Sequence, residues 1–205
     1  MNFSKHIIAF LALLLLTSFL FAQTLGFLPN RGQLYDQAGN QIPNIHYLHR
    51  SGPFQTQLRV SGFSYELFNR IDDEVTKISR LDLSLKFANK PEPIQFNWKA
   101  SHPHAEKFNF INQHGEFYGL HKYQSVSGTS KDGSVILDFR SQDDGSLKYD
   151  LRVSATVAKN IRLVFPDDPG INISSMPNGQ LCMVLFGDTI IEEIPACFAI
   201  GKDGE

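Results

Sequence analysis

The side chains of this chain best suited to chemistry are histidines, clustered acids and one arginine. His102 and His104 flank Pro103, with His114 and His121 beyond. Imidazole is a common zinc ligand, but zinc sites use fixed short spacings such as His-Glu-x-x-His on a helix, and none occurs here. Cys182 and Cys197 lie far off in sequence. The histidines therefore read as surface loop residues. Asp72-Asp73-Glu74, Asp143-Asp144 and Asp167-Asp168 are acidic clusters. Paired carboxylates serve calcium binding and glycoside hydrolysis. None fits the alternating ligand positions of an EF-hand loop, and Asp is a standard turn residue, so these clusters read as turns. No Gly-x-Ser-x-Gly elbow, catalytic cysteine signature, Gly-x-Gly-x-x-Gly or P-loop is found. A triad assembled from distant residues stays open, because its members need not be adjacent.

Arg31, in Pro29-Asn30-Arg31-Gly32-Gln33, is the most distinctive candidate. Its planar guanidinium can grip a carboxylate with two parallel hydrogen bonds. One reading is a contact to a ligand or partner. The favoured reading is structural: Arg31 pins the N-terminal segment to a core carboxylate such as Asp150, in Lys148-Tyr149-Asp150. Asn30, Arg31, Tyr149 and Asp150 are thus the candidate structural or contact residues. No catalytic residue, metal or cofactor is expected.

The elements that must position these residues read as strands. Leu81, Leu83, Leu85 and Phe87 alternate with Arg80, Asp82, Ser84 and Lys86, which predicts a half-buried strand. Leu147, Tyr149, Leu151 and Val153 form a second such face, and Ile161, Leu163 and Phe165 a third. Leu58 and Phe63-Tyr65-Leu67 flank a phase slip at Gly62, a sign of a bulge or tight turn. Gly26 to Asn44 reads as an irregular lead-in with a turn at Ala38-Gly39-Asn40, and Lys99 to His121 has no sustained period. Gly187-Asp188 predicts a two-residue hairpin loop. That register sets Phe186 against Thr189 and Cys182 against Glu193, leaving Cys197 too far away for a bridge, so free thiols are expected. With no convincing amphipathic helix, the pattern predicts an all-β fold: a single-domain β-sandwich of many short, mainly antiparallel strands.

Composition narrows the function. Phe is abundant at 17 of 205 residues, which suits pleated, half-buried surfaces. The formal net charge is −2 with no basic run, which argues against nucleic-acid binding. Lys5 and His6 precede an apolar run from Ile7 to Phe21, and Ala22 follows. This is the layout of a secretory signal peptide over residues 1–22, ahead of an all-β domain over residues 23–205. The protein is expected to be exported, to the periplasm, the cell surface or the medium, with no membrane span after cleavage. Lys202-Asp203-Gly204-Glu205 reads as a turn awaiting another strand, so a truncated product of a longer protein is one reading.

Three stretches carry a family resemblance. They are Phe27-Leu28-Pro29-Asn30-Arg31-Gly32-Gln33 with Gly62-Phe63-Ser64-Tyr65; Gly145 to Leu151 with Ile161 to Phe165; and Asn178-Gly179-Gln180-Leu181 with Ile191 to Ala196. In this order they resemble an N-terminal module of unknown function in large exported bacterial proteins, of the Bacteroidetes type, in which it precedes SBBP-type β-propeller repeats. The loop after the Lys-Tyr-Asp strand, Ser154 to Asn160, lacks the Pro and Gly of that family. Residues 1–205 contain neither such repeats nor a sorting domain. The resemblance implies an exported all-β module, a downstream propeller-type partner domain in longer relatives, and no reaction. The expected function is a non-catalytic structural or binding module with a surface protein or carbohydrate as ligand. A glycan-active enzyme domain, or a fragment without independent function, is the alternative.

Overall fold

The computed structural model describes residues 25–36, 38–70, 76–165, 171–175, 181–185 and 189–194. The expected signal peptide, the acidic clusters at 72–74 and 167–168, and Cys197 lie outside the described residues. The strands are β1 (Phe27–Pro29), β2 (Ile45–Ser51), β3 (Phe54–Arg59), β4 (Gly62–Arg70), β5 (Thr76–Phe87), β6 (Phe96–Asn112), β7 (Gly115–Ser130), β8 (Val135–Ser141), β9 (Leu147–Val153), β10 (Ile161–Val164), β11 (Ile171–Ser175), β12 (Leu181–Leu185) and β13 (Thr189–Ile194). A 3-10 turn, Ala158–Asn160, precedes β10.

Alternation builds the core. Leu81, Leu83 and Leu85 of β5 are buried, and Phe63 and Tyr65 of β4 sit directly opposite Leu83 and Leu81. The phase slip at Gly62 is a tight turn: Arg59 pairs with Gly62 across Val60-Ser61. Gly62 adopts φ +148°, and a Cβ there would run into the Leu83 carbonyl oxygen. Both the conformation and the close strand approach therefore demand glycine.

The large sheet forks at β7. Strand β6 runs along one edge of β7, from Phe96↔Ser130 to Asn112↔Gly115. The other edge is shared end to end, by β8 at Ser125–Thr129 and by β1 at Tyr123. One arm continues β1-β2-β3-β4-β5-β10, and the other is β8-β9. The arms fold over each other around Phe139 of β8. Its ring meets Phe63 at 5.1 Å, Tyr149 at 5.3 Å, Trp98 at 6.0 Å and Phe27 at 6.5 Å. The all-β, antiparallel architecture expected from the strand pattern is present, and its two layers are arms of one curled sheet. A second sheet has the order β11-β12-β13.

Four local expectations change. The aperiodic stretch from Lys99 to His121 belongs to the longest hairpin of the described fold, β6–β7. Register shifts between Pro103 and Lys107 and between Phe108 and Phe110 break its period, and much of its length is exposed on both faces. The lead-in contains β1, too short to show alternation. Leu151 faces the inner layer but is 42% exposed, because β9 lies at the end of its arm. In the small sheet Cys182 does oppose Glu193, but Leu185 rather than Phe186 opposes Thr189, and a bulge between Met183 and Val184 absorbs the difference.

Candidate functional site

The Pro29–Gln33 loop is assembled by its own polar side chains. The Asn30 amide donates to the Ile42 carbonyl at 2.9 Å and the Ile45 carbonyl at 2.8 Å. Its Oδ1 accepts from the Gly32 N–H at 2.9 Å. Gln33 is buried; its amide donates to the Pro29 carbonyl at 2.6 Å and its Oε1 accepts from the Arg31 N–H at 2.5 Å. Asn112, near the β6–β7 turn, donates to the Gln33 carbonyl at 3.2 Å. A short loop strands its backbone polar groups, and two amide side chains satisfy them here. Arg31 is the exposed residue between them. A depression of about 200 Å³ beside the loop is lined by Asn30, Gly32, Gln41, Ile42, Pro43 and His46. That is below the roughly 300–1,000 Å³ of pockets that enclose drug-sized ligands.

Tyr149 and Asp150 are held elsewhere. Tyr149 projects inward onto Phe63, with ring centroids 5.4 Å apart. Asp150 is exposed and pairs with Arg140 at 3.5 Å, and Arg31 makes no ion pair among the described residues. The expected Arg31–Asp150 pin is therefore replaced. Asp150 lies opposite Asp138, in the row of Ser127 on β7, whereas the loop after β1 runs toward the β6–β7 turn. The facing acids Asp138 and Asp150 are balanced diagonally by Arg152 and Arg140, the charge pattern that stabilises neighbouring strands.

Two constellations escaped the sequence reading. In the first, His49 of β2 and Ser141 of β8, 92 residues apart, share a hydrogen bond at 2.9 Å. Both are buried, His49 under the Phe27 ring at 5.1 Å. Burial, with a smaller push from the Lys122 charge, holds the His49 pKa down to about 4. A neutral imidazole bonded to a serine is the start of a nucleophile–base arrangement. Here, with 3% and 4% exposure, no substrate reaches it, and the pair acts as a polar clasp between the arms.

The second is an ionic network on the outer face of β3, β4 and β5. Asp82 accepts from Ser64 at 2.5 Å and from Arg80 at 2.7 Å, with Arg59 at 3.5 Å. Glu66 accepts from the Gln55 amide at 2.7 Å, and Arg80 stands 3.9 Å away. Burial raises the Glu66 pKa, opposed by hydrogen bonds from Gln55 and Gln57 and aided by the Asp82 charge. Each carboxylate is thus ringed by donors on adjacent strands. No signal short of the strand pairing itself would have brought these residues together.

The histidines lie on the β6–β7 hairpin, not in loops away from it. His121 meets the His104 carbonyl at 2.9 Å, and His114, at the turn, stacks on Tyr35 at 3.9 Å. Among the described residues no three His, Cys, Asp or Glu side chains come together as a metal site requires. The turn reading of Asp143-Asp144 holds for Asp144, which accepts from the Ser146 N–H at 2.9 Å. Comparison with family models, curated proteins and solved structures finds no match to this chain.

Proposed function

We propose that the chain is a non-catalytic, exported structural or binding module of a cell-surface or secreted protein. The observation that carries this reading is how the chemistry-bearing groups are used. Asn30 and Gln33 bind the chain's own backbone, His49 and Ser141 are sealed between two layers, and Asp82 and Asp150 are held by arginines. Arg31 remains directed outward on a loop already rigid before any partner arrives. A loop backbone already held by hydrogen bonds costs little further entropy on binding, so Arg31 is the residue proposed to meet a surface protein or carbohydrate. Export rests on the basic start and apolar run of residues 1–22, and the propeller-type neighbour rests on the family resemblance.

A glycan-active enzyme is the second reading, favoured by one observation: Glu66, with its raised pKa, lies one diagonal step from the carboxylate of Asp82. An acid of raised pKa near a second carboxyl group is one element of the glycosidase pattern. Against it, Oδ1 of Asp82 is already engaged by Ser64, Arg80 and Arg59 on the neighbouring strands.

Expression of the whole chain in a bacterial host separates these readings. The exported fraction should have a mass lacking residues 1–22, and it should bind members of a polysaccharide and surface-protein panel in a manner weakened by Arg31→Ala without loss of stability. Turnover of a glycan that vanishes in Glu66→Gln overturns the non-catalytic reading. Retention of Met1 in the exported fraction overturns removal of residues 1–22.

A further inference from the structure

This fold occupies its arginines. Arg59, Arg80, Arg140 and Arg152 each pair with a carboxylate. Arg50 lies over the Phe68 ring at 5.1 Å, and Arg162 donates to the carbonyls of Lys159 and Ile161. Among the described side chains, Arg31 alone has a guanidinium with no ion pair, ring contact or hydrogen bond. It is exposed, on a backbone fixed by Asn30 and Gln33. A guanidinium keeps its charge at any ordinary pH, so this cation is left for something outside the fold to neutralise.

Its neighbour across the strand pair is a phenol. Pro29 of β1 lies opposite Tyr47 of β2, and the Asn30 N–H still donates to the His46 carbonyl at 2.8 Å. Arg31 follows Pro29 by one alternation, which sets it on the Tyr47 side of the pair. The electrostatics agree. Burial, aided by the Tyr123 phenol, raises the Tyr47 pKa, while the Ala100 N–H and the Arg31 charge oppose that rise. The Tyr123 ring packs against Tyr47 at 6.5 Å and 87°, which holds the half-buried ring in place. Because the Tyr47 oxygen takes a hydrogen bond from the Ala100 N–H, its own proton is available to donate.

A fork of N–H donors beside a phenolic O–H suits a planar anion with two oxygens. A single positive charge balances a carboxylate, whereas a phosphate dianion would keep charge in excess. Beside the same loop, the depression of about 200 Å³ presents Gln41 and His46 among Ile42 and Pro43. It has room for one sugar ring, with polar groups for its hydroxyls and apolar ones for its C–H face. We infer, resting on Arg31 as the contact residue of the module, that its ligand is a uronate-bearing polysaccharide whose sugar carboxylate is bound by Arg31 and the Tyr47 hydroxyl together.

Calorimetry of the exported protein against oligogalacturonate, alginate and hyaluronan tests this, with the methyl ester of each, amylose and poly-glutamate alongside. At least one uronate should bind, and its methyl ester, Arg31→Ala and Tyr47→Phe should each weaken that binding by about tenfold or more. If esters or amylose bind as tightly as the uronates, or poly-glutamate does, the uronate assignment is overturned, and Arg31 stands as the contact residue provided Arg31→Ala still weakens binding. Binding to none of these, nor to any member of the wider panel, overturns both readings. A measurement without ligand tests the pairing of the two residues. NMR of ring-labelled tyrosines should show Tyr47 titrating at higher pH in Arg31→Ala and on uronate binding, with Tyr35 and Tyr118 unmoved. A Tyr47 titration unchanged by Arg31→Ala overturns the shared site.

Discussion

The β4–β5 and β6–β7 hairpins are the same kind of element under different physical control. In β4–β5, one face is sealed against the second arm, so Phe63, Tyr65, Leu81, Leu83 and Leu85 recur at every second position. In β6–β7, only the end near Ser130 is built into the layers, where Phe96 and Val126 are buried. Toward the turn, Ile111 and Tyr118 are 64% and 61% exposed; Leu120 is buried there apart from the main core cluster, and polar ties such as Asn112 to Gln33 and the stacking of His114 on Tyr35 add order. Burial imposes a pattern on sequence; a hairpin held by its ladder and a few side-chain bonds tolerates bulges and mixed composition.

The sharpest test sets a residue of the shared core against one of the projecting hairpin. Phe139→Ala removes the ring that four others surround, and should destabilise by about 3–5 kcal/mol. Ile111→Ala should stay within about 0.5 kcal/mol. Urea melts of both variants check this, and similar midpoints would show that the hairpin end is as buried as the core.

The clasp between the arms should respond to acid. The His49 pKa is held down to about 4 in the fold, against an ordinary value of 6.5. Between those values the unfolded chain binds the proton and the fold does not. Stability is therefore complete above pH 6.5 and is lost as pH falls toward 4, by about 3 kcal/mol for this one group. Glu66, with its raised pKa, acts in the opposite direction. Comparing stability against pH for the native chain and His49→Gln isolates the histidine; identical slopes from pH 7 to 4 would remove the claim.

A smaller loss is expected at the lead-in. Asn30→Ala leaves the carbonyls of Ile42 and Ile45 without their donor, at a cost of about 1–3 kcal/mol. Amide exchange should rise in residues 30–46 while β4 and β5 stay protected, which separates loop loosening from global unfolding.

The smallest effect concerns Arg31 and Asp150. With Asp150 paired to Arg140, the double variant Arg31→Ala/Asp150→Ala should be additive within about 0.5 kcal/mol. Arg140 and Asp150 are both exposed and should couple by about 0–1 kcal/mol. Larger coupling between Arg31 and Asp150 would restore the direct pin.

The candidate residues divide by the range of the interaction. Asn30 was legible as unusual from the Pro29–Gln33 motif, but its carbonyl partners, Ile42 and Ile45, lie 12 and 15 residues on. Tyr149 was legible as an inward residue because it shares a strand with Leu147 and Val153. Arg31 was misassigned, because charge alone names no partner; the direction in which β1 leaves the sheet decides that. The His49–Ser141 clasp and the Glu66–Asp82 network gave no signal at all, since their members are ordinary residues until strands are paired.

The sequence by itself determined the all-β class, the inward faces of β4, β5 and β10, the tight turn at Gly62 and the turn role of Asp144, because each is a local consequence of alternation, steric demand or turn chemistry. The tertiary structure alone decided that the sheet forks at β7, that the aperiodic stretch from Lys99 to His121 is a long hairpin and that His49 meets Ser141. The fork and the His49–Ser141 bond depend on which strand edges find each other, a choice made by contacts between residues distant in the chain, whereas the β6–β7 hairpin is local and its period is broken by register shifts and by exposure on both faces.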